Sequence, residues 1–363
     1  MVHVRAALVE ATGGPFTMRD VELAAPRADE ILVRIAAAGI CHTDLTMRGR
    51  WPDARTPMVF GHEGAGVVEA VGADVTTVVP GDSVCLSYLS CGACAQCIAG
   101  HPAYCARSGL NAAGARLDGT TPLSRDGAVV YGNFFGQSSF ATYALATERN
   151  TVKVPAELSP VIAAPLGCGV QTGAGTVLNV LRPESGSSLV IFGAGGVGLS
   201  AVMAGVAQGC SVTVVDPVPT RREIAEELGA TASVDPGDGT GVVATLSDII
   251  GDGARYAIDT TGLSAVISQA VAALGRQGTL ALVGIGGSAD VDIMTVMSKG
   301  LHLRGVIEGD ATPSEFIPQL VDLYREGRLP LEKIITEFPF DAIEDAARAA
   351  ASSKVIKPVL TFG

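Results

Sequence analysis

The stretch Leu189-Val-Ile-Phe192-Gly193-Ala-Gly195-Gly196-Val197-Gly198, carried on to Val212-Thr-Val-Val-Asp216, decides the fold. A short apolar run of strand length ends on a glycine-rich turn, and a helical segment opens at Gly196. In such a turn the first glycine makes the bend, the second admits a pyrophosphate, and the third packs helix against strand. Alone the pattern is weak, because a chain with 45 glycines produces chance matches. Asp216 supplies the context. It ends the next strand, 23 residues after Gly193, where a carboxylate can accept from the adenosine ribose hydroxyls. The same carboxylate repels a 2′-phosphate, which favours NAD over NADP. Arg221 and Arg222 follow, either as a solvated first helical turn or as a phosphate contact.

Working outward, apolar strands alternate with helical segments from Ser188 onward: Val212–Val215, Ala232–Val234, Tyr256–Ile258, Thr279–Val283 and Leu301–Gly305 follow Leu189–Phe192. Six strands in this rhythm imply a doubly wound parallel sheet, a Rossmann-type α/β domain. The N-terminal part has a different texture, with short strands (Val4–Leu8, Ile31–Ile35, Gly66–Val71, Ser83–Leu86) punctuated by Pro57, Pro80 and Gly81. After Gly309, an amphipathic helix over Pro313–Gly327 and a strand over Val355–Phe362 read as a return to this first domain.

At 363 residues the chain can build two sizeable cores. Its net charge of −12 and lack of a Lys/Arg cluster make nucleic acid an improbable partner in chemical terms and dispose of a DNA-binding zinc ribbon. No apolar run approaches membrane-spanning length without Gly or polar interruption, so no membrane partner is expected. Eight cysteines behind a start that is not a signal peptide, Met1-Val-His-Val-Arg, suggest a reducing cytoplasm.

Four of those cysteines stand together: Cys91-Gly-Ala-Cys94-Ala-Gln-Cys97, then Cys105. Two-residue gaps let successive thiolates converge on one tetrahedral ion, whereas disulfides at this spacing would strain. A closed four-thiolate zinc site has no open position and does no chemistry. Two further cysteines and a histidine lie in suggestive settings: Cys41-His42-Thr43-Asp44, Gly61-His62-Glu63-Gly64 and Leu166-Gly167-Cys168-Gly169. Singly, each reads as a small core residue or a hydrogen-bonded core histidine. Together they supply two thiolates and an imidazole, the ligand set of an open catalytic zinc site.

Over essentially its full length the chain resembles the zinc-dependent medium-chain alcohol dehydrogenases. The motifs that carry the resemblance are Gly61-His-Glu-Gly64, the Cys91–Cys105 cluster, Gly167-Cys-Gly169 and Gly193–Gly198. It implies a GroES-like, mainly β catalytic domain formed by residues 1–169 and 309–363, with a Rossmann coenzyme domain over 170–308. It implies Cys41, His62 and Cys168 as catalytic zinc ligands, Asp44 orienting the histidine, and Glu63 as an acidic neighbour able to approach the metal. A pair of structural ion-pairing carboxylates is the competing reading of Asp44 and Glu63. Thr43 matches the hydroxyl that relays the alcohol proton. The histidine that often ends this relay is replaced by Thr46. His42 and Lys357 match contacts to the cofactor pyrophosphate; Thr172 and Val197 match residues that pack on the nicotinamide.

The resemblance further implies an NAD-dependent oxidoreductase with two zincs per chain, acting on a small-molecule alcohol or aldehyde as a homotetramer or dimer. Assembly is expected in part through the strand at Thr279–Val283. Retained Cys168 argues against the polyol branch, which usually carries a glutamate there. Trp51, Phe134, Phe135, Ile307 and, from the cofactor-binding side, Ile285 match substrate-lining positions, and none is charged; Ile285 also matches a cofactor-binding position. The segments at 132–147 and 305–323, with Glu308-Gly-Asp310, resemble the aryl-alcohol (benzyl alcohol) dehydrogenases and related terpene-alcohol enzymes. Oxidation of an aromatic or apolar primary alcohol is therefore expected. Terpene or general aliphatic alcohols, carbonyl reduction in the reverse direction, and a catalytically retired structural protein are the alternatives.

Overall fold

A computed structural model describes residues 1–237 and 239–363 and divides the chain into two compact units. The first comprises Met1–Cys168, Thr312–Val321 and Ile335–Gly363; the second comprises Gly169–Ala311 and Asp322–Ile334.

The first unit is built on two sheets. One runs in the order Met58–Val59, Val2–Val9, Phe16–Leu23, Leu123–Arg125, Ala128–Val130. The other runs Thr151–Lys153, Ser83–Leu86, Gly64–Val71, Glu30–Gly39, Lys357–Thr361, Ile335–Pro339, and Tyr143–Thr147 also pairs with Glu30–Gly39. The strand Glu30–Gly39 is almost wholly buried and antiparallel to each of its three partners, so it is the spine of this sheet. Its pairing with Lys357–Thr361 brings the end of the chain against its beginning. Between the sheets lies a core that includes Leu8, Ile31, Phe60 and Phe140. Two loops that hold chemistry leave this frame: the turn at Gly61–Glu63 before the strand Gly64–Val71, and the cysteine lobe after Ser83–Leu86.

The second unit is a six-stranded parallel sheet in the order Ala232–Val234, Ser211–Val215, Ser188–Phe192, Ala254–Asp259, Leu274–Leu282, His302–Gly305. The expected doubly wound sheet is present. Val190, Ile191 and Phe192 are fully enclosed, as a central parallel strand covered on both faces must be. Strand order reverses beside Ser188–Phe192, which places the turn at Gly193 at the topological switch point, where such sheets bind ligands.

One expectation is corrected here. Thr279–Leu282 lies on the strand Leu274–Leu282, whose two neighbours already take its backbone groups, and Val283 follows it. One terminal strand of this sheet, His302–Gly305, has every residue exposed. The apolar helical stretch Pro160–Leu181 is long enough to cross a membrane, yet 83% of its apolar window is buried inside the protein, the behaviour of a core helix.

Candidate active site

Cys41 caps the helix His42–Arg50, and Asp44 in the first turn of that helix organises everything around it. The Asp44 side chain has no exposed surface. Its Oδ2 accepts from the Cys41 N–H at 3.0 Å; its Oδ1 accepts from the Gly61 N–H at 3.1 Å and from His62 Nδ1 at 2.8 Å. One carboxylate thus ties two remote segments together and assigns the His62 tautomer. Gly61 permits the turn that delivers His62: its φ is +96°, and a Cβ there would lie 2.5 Å from the Phe140 nitrogen.

Cys168 arrives from a third segment, the π-helical turn Leu166–Val170. Wider turns of this kind recur at functional sites because they re-aim a single side chain. The donor atoms of Cys41, His62, Glu63 and Cys168 lie within 4.8 Å of one another, and three of the four residues are buried. His62 Nε2, opposite the nitrogen held by Asp44, is buried with no hydrogen-bond partner among the described residues. A buried imidazole nitrogen left unsatisfied among two thiols is costly unless an ion completes it. The residues therefore fit a metal, and soft thiolates with imidazole suit zinc. The thiol of Cys41 is held well below its ordinary range, chiefly by the Cys168 side chain and then, against burial, by His62. Burial works against a charged His62, but Asp44 and Cys41 raise its affinity for a proton well above the usual value. The electrostatics of the site thus favour a Cys41 thiolate beside a protonated or metal-bound imidazole.

Glu63 stands at the edge of this cluster and is engaged elsewhere. Lys357 Nζ donates to its two oxygens at 2.8 and 2.9 Å, and both side chains are buried. Burial pushes the Glu63 carboxyl up, against the pull of Lys357. Lys357, expected at the pyrophosphate, has its ammonium committed to this pair. His42 is exposed, whereas Thr43 and Thr46 are half-buried on the same helix.

The aromatic candidates separate. Trp51 is 1% exposed, donates from Nε1 to the Arg55 carbonyl at 2.8 Å, and packs edge-on against Phe60 and Phe134. It is a core residue, which corrects its reading as a pocket wall. Phe134 is likewise enclosed and meets the His62 ring edge-on at 5.6 Å. Phe135 is half-buried and stacks on His62, with centroids 4.5 Å apart and planes 25° apart. Gln137, which the motifs did not single out, holds the main chain that leaves His62. Its Nε2 donates to the His62 and Ser87 carbonyls at 2.9 and 3.0 Å, and its Oε1 accepts from Gly64 N–H at 3.0 Å. An amide in a loop has no sequence signature that would have announced this.

The cysteine lobe is a separate cluster. The sulfurs of Cys91, Cys94, Cys97 and Cys105 lie within 4.8 Å of one another, and all eight cysteines of the chain are free thiols. Backbone amides point at them: Ala106 N–H to Cys94 Sγ at 3.4 Å, and Cys91 and Arg107 N–H to Cys105 Sγ at 3.3 Å each. The Ala106 and Cys97 amides hold the Cys94 thiol down at about 6, while burial and neighbouring thiols push Cys97 up to about 11. Thiolate convergence with N–H support fits a structural ion.

In the second unit, Gly193 turns at φ +95°, and a Cβ on Gly198 would strike the Gly193 carbonyl at 1.8 Å. A Cβ on Gly195 would meet nothing within 4 Å, so space for a phosphate lies in front of the helix Gly196–Ala207. Val197 is half-buried in the first turn of that helix. Asp216 is buried and accepts from Ala194 N–H at 2.7 Å and Val218 N–H at 2.8 Å. Arg222 donates to the Asp216 carbonyl and pairs with Asp235 at 2.9 Å, and Arg221 is half-buried beside it. The turn fits a dinucleotide. Thr172 is buried, with its Oγ1 3.4 Å from the Glu308 carboxylate, which also accepts from Gln171 at 2.9 Å. Ile285 and Ile307 are 69% and 55% exposed.

Residues 27–156 match the alcohol dehydrogenase GroES-like domain, and residues 196–326 match the zinc-binding dehydrogenase domain. The chain is 44% identical to a geraniol dehydrogenase of Castellaniella defragrans, across 99% of this chain and 98% of the relative. The chain belongs to the zinc-dependent medium-chain alcohol dehydrogenase family. The crystal structure of benzyl alcohol dehydrogenase from Acinetobacter calcoaceticus is 40% identical, covers the whole of both chains and superposes with a TM-score of 0.96. A structure described as a short chain alcohol dehydrogenase from Escherichia coli CFT073, complexed with NADH, is 25% identical over 99% of each chain, with a TM-score of 0.82. As in this family, the architecture is a GroES-like unit joined to a Rossmann-like coenzyme unit.

Proposed function

We propose that the protein is an NAD-dependent dehydrogenase of aromatic or apolar primary alcohols of the benzyl alcohol type, holding two zinc ions per chain. The observation that carries the reading is the convergence of Cys41, Cys168 and the partnerless Nε2 of His62 in a buried site. When bound there, zinc supplies Lewis acidity toward the alcohol oxygen, and NAD supplies the hydride acceptor. The chain's own residues do the rest. Asp44 holds the His62 ring and the Cys41 backbone, and the Glu63–Lys357 pair keeps a carboxylate in reserve beside the ligands. Thr43 takes the alcohol proton and passes it on; with Thr46 where a histidine often stands, water accepts it at the end of the relay. Cys91, Cys94, Cys97 and Cys105 hold the structural ion. Gly193, Gly195, Gly196, Val197 and Gly198 cradle the pyrophosphate, with His42 as a further contact, and Asp216 binds the adenosine ribose, with Arg221 as a cofactor contact after it. Thr172 and Val197 flank the nicotinamide.

The substrate class rests on the apolar character of Phe135, Ile285 and Ile307, and on kinship with a benzyl alcohol dehydrogenase. The geraniol dehydrogenase relative supports a second reading, a terpene alcohol. Both substrates are apolar primary alcohols, and an apolar pocket separates such compounds by only ~1–3 kcal/mol per methylene. Subunits assemble as a tetramer or dimer through the open edge His302–Gly305, beside the exposed Ile293, Met294 and Met297. A reducing cytoplasm suits the thiolate ligands.

The test is kcat/KM with NAD for benzyl alcohol, cinnamyl alcohol, geraniol, hexanol and ethanol. The reading expects the aromatic alcohols to lead. Geraniol in front selects the terpene reading, and ethanol in front refutes both. Asp216→Gly is expected to narrow the preference for NAD over NADP; an unchanged ratio would count against the ribose assignment.

A further inference from the structure

The loop Asn133–Ser138 is the most contorted segment of the first unit. Asn133, Phe135 and Ser138 have φ of +61°, +52° and +57°, and Gly136 between them has +72°. For a bulky side chain such as Phe135 this region is disfavoured, and it persists only where the surroundings over-determine it. Here they do. Ser138 Oγ accepts from Phe134 N–H at 2.9 Å and donates to the Val59 carbonyl at 2.7 Å. Asn150 Nδ2 donates to the carbonyls of Phe135 and Gly136 at 3.3 and 3.0 Å. Gln137 then fastens the loop to the backbone of His62 and Gly64. The outcome of all this restraint is one placement: the Phe135 ring lies flat on the His62 imidazole at 4.5 Å, while Phe134 closes its edge.

We propose that Phe135 is a positioning residue for His62: its stacked ring fixes the tilt of the imidazole, so that Nε2 is presented to the metal, and its left-handed backbone exists to put it there. The proposal rests on the reading of His62 as a zinc ligand and is independent of which alcohol is oxidised. Asp44 holds one nitrogen, which fixes the tautomer but leaves the ring free to rock about that hydrogen bond. A face-on aromatic removes that freedom. An imidazole that gives electron density to a cation is electron-poor and stacks favourably on a phenyl face.

The experiment uses the zinc-loaded protein and follows zinc release to a colorimetric chelator. Cys168→Ala, by losing one kinetic phase, identifies the phase that belongs to the Cys41–His62–Cys168 site. Phe135→Leu, which retains an apolar cover, is expected to release that zinc about tenfold faster, the usual size of effect when support of a metal ligand is lost. Phe135→Tyr, which keeps a stacking ring, is expected to match the parent. The phase from Cys91–Cys105 should be unchanged in both. With cobalt substituted for zinc, the visible bands of the catalytic site should shift in Phe135→Leu and not in Phe135→Tyr. Parental release and parental bands in Phe135→Leu would overturn the proposal, and so would equal acceleration at both sites, which signals general loosening. If Phe135 only lines the substrate region, Phe135→Leu alters the kcat/KM ratio of benzyl alcohol to ethanol while release stays parental. Failure of the underlying zinc reading shows separately, as a parent protein that holds no zinc outside the cysteine lobe.

Discussion

The two cysteine-bearing sites use the same donor chemistry and are built in opposite ways. The lobe draws four thiols from one fifteen-residue stretch, Cys91 to Cys105, leaves all but Cys105 partly exposed and supports them with backbone amides. The active site gathers Cys41, His62 and Cys168 from three remote segments and buries the cluster around Asp44, Gln137 and Phe135. The lobe is complete in its ligands, whereas the active site has three and diverts the nearest carboxylate, Glu63, to Lys357. A short closed loop can hold an ion with local structure alone. A site that must leave a position open for substrate depends on supporting residues from much of the first unit.

Three substitutions test that contrast, and a fourth, at Glu148, sets the scale of a single carboxylate. Cys168→Ala should lower kcat/KM by about a thousandfold or more, because several kcal/mol of Lewis-acid stabilisation go with the ligand, at about 1.4 kcal/mol per tenfold. Circular dichroism should show a retained fold. Near-parental turnover in the zinc-supplied variant would break the comparison at its root. Asp44→Ala strips the acceptor from Cys41 N–H, Gly61 N–H and His62 Nδ1, all in a buried setting. A loss of about 3 kcal/mol is expected, measurable by denaturant unfolding, and accompanied by loss of activity. Stability within about 0.5 kcal/mol of the parent would mean that water replaces the carboxylate easily.

Cys94→Ala reverses the pattern: the unfolding midpoint should fall by about 5 °C while freshly purified protein retains most of its activity. A lost activity at an unchanged midpoint would exchange the roles of the two sites. Glu148 provides the smallest effect. Its carboxylate accepts from the Thr76 and Thr77 amides at 2.5 and 2.7 Å, bonds that lower its affinity for a proton below the ordinary Glu value. A lowered folded-state value gives stability that is present above the unfolded-state value and fades as pH falls through the folded one. Glu148→Gln should therefore cost no more than about 1 kcal/mol near neutrality. The gap from the parent should close in the acid range below the ordinary Glu value. A gap that persists there would assign the effect to packing.

How much of this was legible beforehand follows from how local each feature is. The parallel strands read plainly because strands enclosed on both faces are unbroken apolar runs; Leu189–Phe192 lies within the observed Ser188–Phe192. The cysteine lobe and the glycine turn are written in consecutive residues. Strand order is not, so assembly is expected at Thr279–Val283 although the sheet leaves His302–Gly305 open. Trp51 looked like a wall for the same reason: nothing near it in sequence announces Phe134, which encloses it from eighty-three residues away. The Lys357–Glu63 pair spans 294 positions, and Gln137 grips a backbone 75 positions distant. Such pairings depend on register between remote strands, which composition and periodicity do not carry.

The most direct measurement is zinc per chain, by elemental analysis, in the parent and in Cys168→Ala after exhaustive dialysis. The account requires about two in the parent and about one in the variant, the retained ion belonging to the cysteine lobe. One zinc in both proteins would leave Cys41, His62 and Cys168 without a metal and contradict the catalytic reading of their convergence.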